Sequence, residues 1–154
     1  MSEPRTSTML LAVSPHSKDH LFLKQTFCAS NWALREARTY RDALMILCQD
    51  RMPVVICECC LPDGSWQDLL SQIADLPDAP RLIVTSPEPD ERLWAEVFNM
   101  GGHDVLTTPL DQNEVIRAVS GAWRSWESES SRVKQRENRR CSYKVSTRVR
   151  LLAS

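Results

Sequence analysis

Long hydrophobic runs are missing from this sequence of 154 residues. No apolar stretch approaches the roughly 18 residues that mark a membrane-spanning helix. The chain begins with MSEPRTST, which lacks the basic start and the following apolar stretch of a secretory signal. We therefore expect neither membrane insertion nor secretion, and we expect a cytoplasmic protein.

Glycine is also scarce, with four residues in the whole chain. None of them forms a glycine-rich phosphate loop after the first predicted strand, and the G-x-S-x-G elbow of many hydrolases does not occur. The sequence thus offers neither a nucleotide-phosphate cradle of that kind nor a nucleophile elbow. We therefore expect no cofactor.

Cysteine pairs with the spacing of a zinc site are absent, although cysteine itself is plentiful. The cysteines and histidines are Cys28, Cys48, Cys57, Cys59, Cys60, Cys141, His16, His20 and His103. The central cysteines follow a C-x-C-C pattern, whereas zinc sites use C-x2-C pairs. We therefore expect no bound metal, cysteines that mostly pack in the core, and histidines at the surface or at helix caps. A thiol redox site is an alternative that Glu58 disfavours, because a neighbouring carboxylate raises the pKa of a thiol.

The net charge of −1 conceals two oppositely charged parts. Residues 1–131 carry 11 Lys and Arg against 19 Asp and Glu, which is −8, whereas residues 132–154 carry 8 against 1, which is +7. The sequence therefore predicts an acidic domain followed by a basic tail. We place an N-terminal extension at residues 1–7, the domain at residues 8–126 and a C-terminal extension at residues 127–154.

Apolar runs and helical apolar stripes alternate along the domain. The predicted strands are residues 9–13, 32–38, 54–57, 82–85 and 105–107, and a predicted helix follows each of them. Ser65 with Asp68 resembles a capping box at a helix start, and the Gly101-Gly102 pair marks the end of the fourth helix. This alternation predicts an α/β fold in which helices cover both faces of a parallel sheet.

The working site of such a sheet lies beyond the carboxyl ends of its strands. Among the residues at the tips of the first and third predicted strands, Glu58 and Asp63 are the carboxylates, and both follow the third strand. A hard cation such as Mg²⁺ takes several oxygen ligands, commonly including one or two carboxylates. These residues alone make a weak case for a metal site.

Five stretches of the chain carry a family resemblance: LLAVSPHSKD, NWALREARTYRDAL, VVICECCLPDG, LIVTS and MGGHDVLTTPLDQNEV. They resemble the response-regulator receiver domain of bacterial signalling over about residues 8–126. The most specific parts are LPDG after an acidic strand tip and G-x-x-D-x-L-x-x-P before the last helix. The resemblance implies a flavodoxin-like (βα)5 three-layer sandwich with a parallel five-stranded sheet of order 2-1-3-4-5. It also implies a phosphorelay signalling module rather than an enzyme.

The residues that carry out phosphorylation in receiver domains are mostly replaced here. Receiver domains hold Mg²⁺ with two adjacent acids, phosphorylate an aspartate, and use a switch hydroxyl and a lysine that precedes a proline. The matching positions hold Ser14 and Pro15 for the acid pair, Glu58 for the phosphoacceptor, Thr85 for the hydroxyl, and Thr108 before Pro109 for the lysine. Of these residues, Thr85 alone retains the family's residue type.

These replacements remove the groups on which phosphoryl transfer depends. Ser14 has no charge, Pro15 has no side-chain oxygen, and Thr108 supplies no ammonium group to neutralise the transferred phosphoryl. The extra methylene of Glu58 moves its oxygens by roughly 1 Å. We therefore expect no phosphorylation and no catalytic residues. Glu58 either mimics the phosphorylated state by holding Thr85 inward, or is a residual, partly solvated carboxylate.

Large apolar residues lie in the fourth helix, fifth strand and fifth helix, which form the usual docking and dimerisation face of receiver domains. The candidates are Trp94, Phe98, Val105, Trp123 and Trp126. Tryptophan is favoured at binding hot spots. The leading hypothesis is an atypical receiver-like module that contacts a protein partner, either a signalling protein or a second copy, through this face.

The basic tail supports an alternative function, that of a regulator in contact with nucleic acid. Residues 141–152, CSYKVSTRVRLL, alternate in a strand pattern, and eight Lys and Arg lie in residues 132–154. Such a tail would bind nucleic acid weakly and in a salt-dependent manner. Because no series of aromatic residues accompanies the charges, sequence-specific binding has little support.

Overall fold

The computed structural model describes residues 8–76 and 78–129. Five strands form one parallel sheet: β1 (Thr8–Val13), β2 (Trp32–Ala37), β3 (Val54–Glu58), β6 (Arg81–Ser86) and β7 (Asp104–Thr107). A short antiparallel hairpin of β4 (Cys60–Leu61) and β5 (Gly64–Ser65) follows β3. The sheet order is β2-β1-β3-β6-β7, which is the predicted order 2-1-3-4-5 once the hairpin is left out of the numbering.

Five helices in the described residues enclose the sheet. They are α1 (Ser17–Phe27), α2 (Tyr40–Gln49), α3 (Trp66–Ile73), α4 (Glu91–Asn99) and α5, described over residues 112–129. One core cluster joins the sheet to α2, α3 and α4, and a second joins its other face to α1 and α5. This three-layer arrangement confirms the predicted flavodoxin-like class. Each described helix falls short of the length and apolarity needed to cross a membrane.

The side chains of β1 explain why the strands read as continuous apolar runs. Leu11 and Val13 belong to the cluster under α2, α3 and α4, whereas Leu10 and Ala12 belong to the cluster under α1 and α5. None of the four is more than 1% exposed. A strand covered on both faces needs apolar side chains at every position, and each fully buried Leu or Val contributes about 1.5–3 kcal/mol.

Capping residues fix the helix ends as their sequence pattern predicts. The hydroxyl of Thr39 accepts the backbone N–H of Asp42 at 3.1 Å at the start of α2. Ser65 and Asp68 form a reciprocal capping box at the start of α3. Gly101, just after α4, has φ of 92°, a left-handed conformation that side chains disfavour. These local signals position the loops at both edges of the sheet.

Asp63 lies in the turn of the β4–β5 hairpin. It caps the N-terminus of α2 and does not contribute to the site at the carboxyl edge of the sheet. Its two carboxylate oxygens accept the backbone N–H groups of Tyr40 at 2.7 Å and Arg41 at 3.1 Å. Desolvation raises the pKa of the Asp63 carboxyl, but these backbone hydrogen bonds outweigh it and hold the pKa below its ordinary value. The hairpin is therefore tied to the N-terminus of α2.

The last turns of α5 pack at the amino-terminal edge of the sheet. The indole N–H of Trp126 donates to the backbone oxygen of Asp78 at 2.9 Å, and the guanidinium of Arg51 lies 4.7 Å from the Trp126 ring centre. Arg81, at the start of β6, pairs with Glu129 at 2.9 Å. The described helix thus passes residue 126. The boundaries at residues 1–7, 8–126 and 127–154 stay predictions, and residues 1–7 and 130–154 lie outside the described residues.

We predict that Asp63→Ala lowers the melting temperature by a few degrees at pH 7, because α2 loses two capping acceptors. The lowered pKa means that this stability is complete above the unfolded pKa of about 3.9 and is lost as the pH falls through the folded value. The difference between the variant and the wild type should therefore shrink below pH 4 in thermal melts followed by circular dichroism. Asp75→Ala removes an exposed carboxylate and is the control. A difference that persists undiminished in acid would contradict the capping role.

Candidate functional site

The loop after β1 meets the end of β3 through the hydroxyl of Ser14. Ser14 is 5% exposed, and its Oγ donates to Asp19 Oδ2 at 2.9 Å and lies 3.3 Å from Glu58 Oε2. The backbone N–H of His16 in turn donates to Ser14 Oγ at 3.1 Å. One hydroxyl therefore links two carboxylates at the carboxyl edge of the sheet.

Glu58, at the phosphoacceptor position, is held on both of its oxygens. Oε2 faces Ser14, and Oε1 lies 3.1 Å from Nε2 of His16. The Glu58 side chain is 13% exposed and that of His16 is 52% exposed. The Glu58 carboxylate is thus mostly buried, with a small fraction of its surface exposed to solvent. It belongs to a compact polar cluster, which we call the Ser14 cluster, formed by Ser14, His16, Asp19 and Glu58.

His20 supports this cluster from the buried side of the loop. This corrects the expectation that His20 lies at the surface or at a helix cap. It is 3% exposed, and its Nε2 donates to the backbone oxygen of Ser14 at 2.7 Å. The helical position of His20, one turn after His16, turns its ring inward under the loop. His16 is exposed as expected, but it contacts Glu58 rather than only solvent.

Thr85, at the switch position, lies beside Glu58 in the register of β3 and β6. It is 4% exposed, and its backbone oxygen accepts the N–H of Cys59 at 2.9 Å. Within residues 8–76 and 78–129, the hydrogen bonds to the Glu58 carboxylate come from Ser14 and His16, and none comes from the Thr85 hydroxyl. The hydrogen bond needed for the mimic interpretation is therefore missing.

Thr108 and Pro109, at the lysine and proline positions, are joined by a cis peptide bond. Both line a cavity of about 560 Å³ that also reaches Glu58, His16 and Asp19. Pro15, the second acid-pair position, lies between Ser14 and His16 and has no side-chain donor or acceptor. The structure thus places the positions that match the family's phosphorylation site along one edge of the sheet.

The residues around this cavity do not fit the Mg²⁺ that receiver domains hold. In the described part of the chain, no group of three or more His, Cys, Asp and Glu could hold a metal ion. The carboxylates of Asp19 and Glu58 are already linked by the Ser14 hydroxyl. Mg²⁺ needs near-ideal octahedral oxygen coordination at close range, and Ser14 and Pro15 supply no carboxylate toward it.

The cysteines correct the expectation of core packing. Of the five described cysteines, Cys57 alone is buried, Cys59 is half-buried, and Cys28, Cys48 and Cys60 are exposed. Burial, with Glu58 nearby, raises the pKa of the Cys57 thiol. Desolvation also raises the pKa of Cys59. Neither thiol has the lowered pKa of a reactive cysteine, and Cys141 lies outside the described residues.

The predicted docking face divides into an outward and an inward half. On α4, Trp94 is 37% and Phe98 is 52% exposed, and their rings stack 5.6 Å apart. Val105 on β7 is 4% exposed, so its assignment to the surface is wrong. Trp123 packs edge-on against Trp32 at 6.4 Å in the core beside α1 and α5.

Trp126 is not available to the predicted face either, because it is half-buried against Asp78 and Arg51 at the other end of α5. A helical stripe of apolar residues indicates which residues face the core in general. It does not indicate where along the helix the core ends. The outward half of the predicted face therefore consists of Trp94 and Phe98, which we call the α4 pair.

Asp19 and the role of His16 are the parts of the site that the sequence pattern does not reveal. Asp19 is the third residue of α1, a position that is usually explained by helix capping. Its spacing of five residues from Ser14 has no periodic meaning in a strand or a helix. The turn between β1 and α1 brings the two side chains within hydrogen-bonding distance.

Comparison of the chain with known proteins identifies its family. The response regulator receiver domain family matches residues 13–120. The signal receiver domain of an HD domain-containing protein from Pseudomonas fluorescens Pf-5 is 25% identical, with a TM-score of 0.76, and the match covers 86% of this chain and 98% of that chain. No curated protein matches the chain.

Two further solved structures share the fold. A CheY-like response regulator receiver domain protein from Methanospirillum hungatei JF-1 is 15% identical with a TM-score of 0.73, covering 80% of this chain and 99% of that chain. Chemotaxis response regulator CheY4 of Vibrio cholerae is 15% identical with a TM-score of 0.70, covering 76% and 99% respectively. Fold and site define a flavodoxin-like protein with its polar cluster at the carboxyl edge of the sheet. The chain belongs to the response regulator receiver domain family of phosphorelay signalling.

We predict that Mg²⁺ at 10 mM leaves the melting temperature within about 1 °C of the metal-free value, because a ligand stabilises a fold only in proportion to its binding. Differential scanning fluorimetry of the full chain measures the effect. A receiver domain that retains both acids after its first strand is the positive control and should gain stability. A melting temperature that climbs steadily through the low-millimolar range would identify Asp19 and Glu58 as metal ligands after all.

Proposed function

We propose that this chain is an atypical receiver domain that works through protein–protein contacts without phosphorylation. The observation that carries the proposal is the state of Glu58, whose two oxygens face Ser14 and His16 at 3.3 and 3.1 Å. A nucleophilic carboxylate needs a free oxygen in line with the phosphoryl donor. Glu58 is instead engaged on both sides within a mostly buried cluster.

The neighbouring residues support the same proposal. Phosphoryl transfer relies on cations that neutralise charge on the equatorial oxygens. Thr108 lines the cavity where the family carries its lysine, and the acid pair is Ser14 and Pro15. The absence of a hydrogen bond from the Thr85 hydroxyl to the Glu58 carboxylate among the described residues argues against a permanent mimic of the phosphorylated state. We therefore propose no enzymatic role for these residues and no cofactor.

The α4 pair is the proposed contact for a protein partner, which is either a signalling protein or a second copy. Trp94 and Phe98 are stacked and exposed on α4, next to β7 and α5. Adjacent exposed apolar side chains form the kind of surface patch that often marks an interaction site, and tryptophan is frequent at binding hot spots. Cytoplasmic localisation is part of this proposal.

The alternative function in nucleic-acid binding depends on the basic tail. The residues that would carry it, 132–154, lie outside the described residues. Residues 8–129 offer it no support through charge, because this segment is acidic. We therefore keep protein–protein contact as the proposed function.

We predict that incubation with acetyl phosphate and Mg²⁺ leaves the intact mass unchanged, because the nucleophile is engaged and both cationic clamps are missing. Glu58→Asp should also remain unmodified, since Ser14, Pro15 and Thr108 are unchanged in it. A receiver domain with the full set of residues is the positive control in the same mass-spectrometric measurement. A gain of one phosphoryl group that disappears in Glu58→Gln would overturn the proposal.

We predict that a double variant, Trp94→Ala with Phe98→Ala, weakens binding of the partner at least about tenfold, as expected for hot-spot residues. The measurement is capture of the partner by immobilised full-length chain, with self-association followed separately by sedimentation equilibrium. Leu21→Ala with Met45→Ala is the matched control, since these side chains are 57% and 55% exposed on other helices. Binding that survives the α4 variant but is lost from a chain ending at residue 129 would assign recognition to the tail.

A further inference from the structure

The cavity beside the Ser14 cluster has the size and the lining of a small-molecule site. Its volume of about 560 Å³ falls within the range of about 300–1,000 Å³ typical of ligand pockets. Apolar side chains form one wall: Phe22 from α1, Pro87 after β6, and Pro109 with Leu110 after β7. The polar side is formed by the carboxylates Glu58 and Asp19 together with His16, Lys18 and Thr108. An apolar wall with a few convergent polar groups is the usual composition of a ligand site.

The charges at this cavity favour a cation. Glu58 and Asp19 converge on one hydroxyl, and the Glu58 side chain is 13% exposed. Among the described residues, the ionic contact to these two carboxylates is His16, which is 52% exposed and charged only when protonated. Lys18 also lines the cavity, but its side chain is exposed on the first turn of α1. Partly buried carboxylates without a permanent cationic partner favour binding of positive charge.

The walls favour an organic cation over a metal ion. Phe22, Pro87 and Leu110 offer no oxygen ligand from their side chains, and no cluster of metal ligands occurs in the described residues. An anion would meet two carboxylates. A cationic head on an apolar stem matches both halves of the cavity, since the head can form charge-assisted hydrogen bonds and the stem can cover Phe22 and Leu110.

We propose that this cavity binds an organic cation, an ammonium, amidinium or guanidinium group on an apolar stem, with the charged group at Glu58 and Asp19. The cation displaces the half-exposed ring of His16 from Glu58 Oε1. The same chemistry is available from a free amine and from a Lys or Arg side chain of another protein. The proposal goes beyond the contact role of the α4 pair and does not rest on it.

The test is a titration of the ¹⁵N-labelled full chain with benzamidine, followed by amide chemical shifts. Benzamide has nearly the same shape without the charge, and benzoate has the opposite charge. We expect saturable shifts with benzamidine, largest around His16, Glu58 and Leu110. We expect benzamide and benzoate to bind at least about tenfold more weakly, as the loss of a charge-assisted hydrogen bond implies.

Two variants connect the binding to the carboxylates. Glu58→Gln keeps the size of the side chain, removes its charge, and should weaken benzamidine binding at least about tenfold. Glu127→Gln, an exposed site on α5, is the matched control and should not change it. Asp19→Asn provides a second independent variant, with Asp75→Asn as its control, in case Glu58→Gln fails to fold.

The outcomes separate the proposal from its alternatives and from the proposed function. Shifts that do not saturate, equal binding of benzamide, preference for benzoate, or no effect of both cavity variants would each overturn it. A second arm compares butylamine with Nα-acetyl-lysine amide. Tighter binding of the blocked lysine would assign the site to a protein side chain, and tighter binding of the free amine to a small molecule. Neither phosphate nor a partner is present, so failure here leaves the contact role of the α4 pair unaffected.

Discussion

Burial of β1, β3 and β6 on both faces determines where polar chemistry can occur in this protein. Leu10 and Leu11, adjacent on β1, enter opposite core clusters and are both fully buried. Apart from residues at the strand ends, the side chains of these strands are buried. An unpaired polar group among them would cost several kilocalories per mole, on the order of 2–7. Polar residues are therefore confined to the strand ends, where Ser14 and Glu58 follow β1 and end β3. The position of the site at the carboxyl edge therefore follows from the burial of the sheet.

At that edge, the Ser14 hydroxyl takes part in an arrangement that differs in kind from a phosphorylation site. A phosphorylation site keeps a carboxylate free and surrounds it with cations. Here a neutral donor joins two carboxylates, and His20 holds the Ser14 carbonyl from the buried side. Each contact satisfies a polar group that the fold has partly removed from water. The cluster is thus explained by hydrogen bonding within the loop, and it leaves the cavity beside it open and negatively charged.

The strands and helix caps follow from the sequence because their signals are local, whereas the sheet order is implied by the family resemblance. Apolar runs, the Ser65–Asp68 capping box and the strand-helix alternation need no knowledge of distant contacts. The β4–β5 hairpin has two-residue strands, too short for any pattern. The contact of Asp19 with Ser14 depends on the exact turn between β1 and α1. The positions of Val105 and Trp126 depend on where the core ends, which periodicity along a strand or a helix does not specify.

The proposed absence of phosphorylation bears on what could switch such a domain between conformations. A conformational equilibrium responds only to a group that interacts differently with its two states. In a receiver, the added phosphoryl supplies this difference as new charge beside the switch hydroxyl. Under the proposed function no phosphoryl group is added at Glu58, and Thr85 is buried in β6 without a hydrogen bond to that carboxylate within the described residues. On that proposal, a difference between states would come from molecules that contact the surface, either at the open cavity or at α4. Because Thr85 lies beside Glu58 and also beside Leu106 of β7, and α4 contacts β7, the strand β6 that carries Thr85 physically connects those two places.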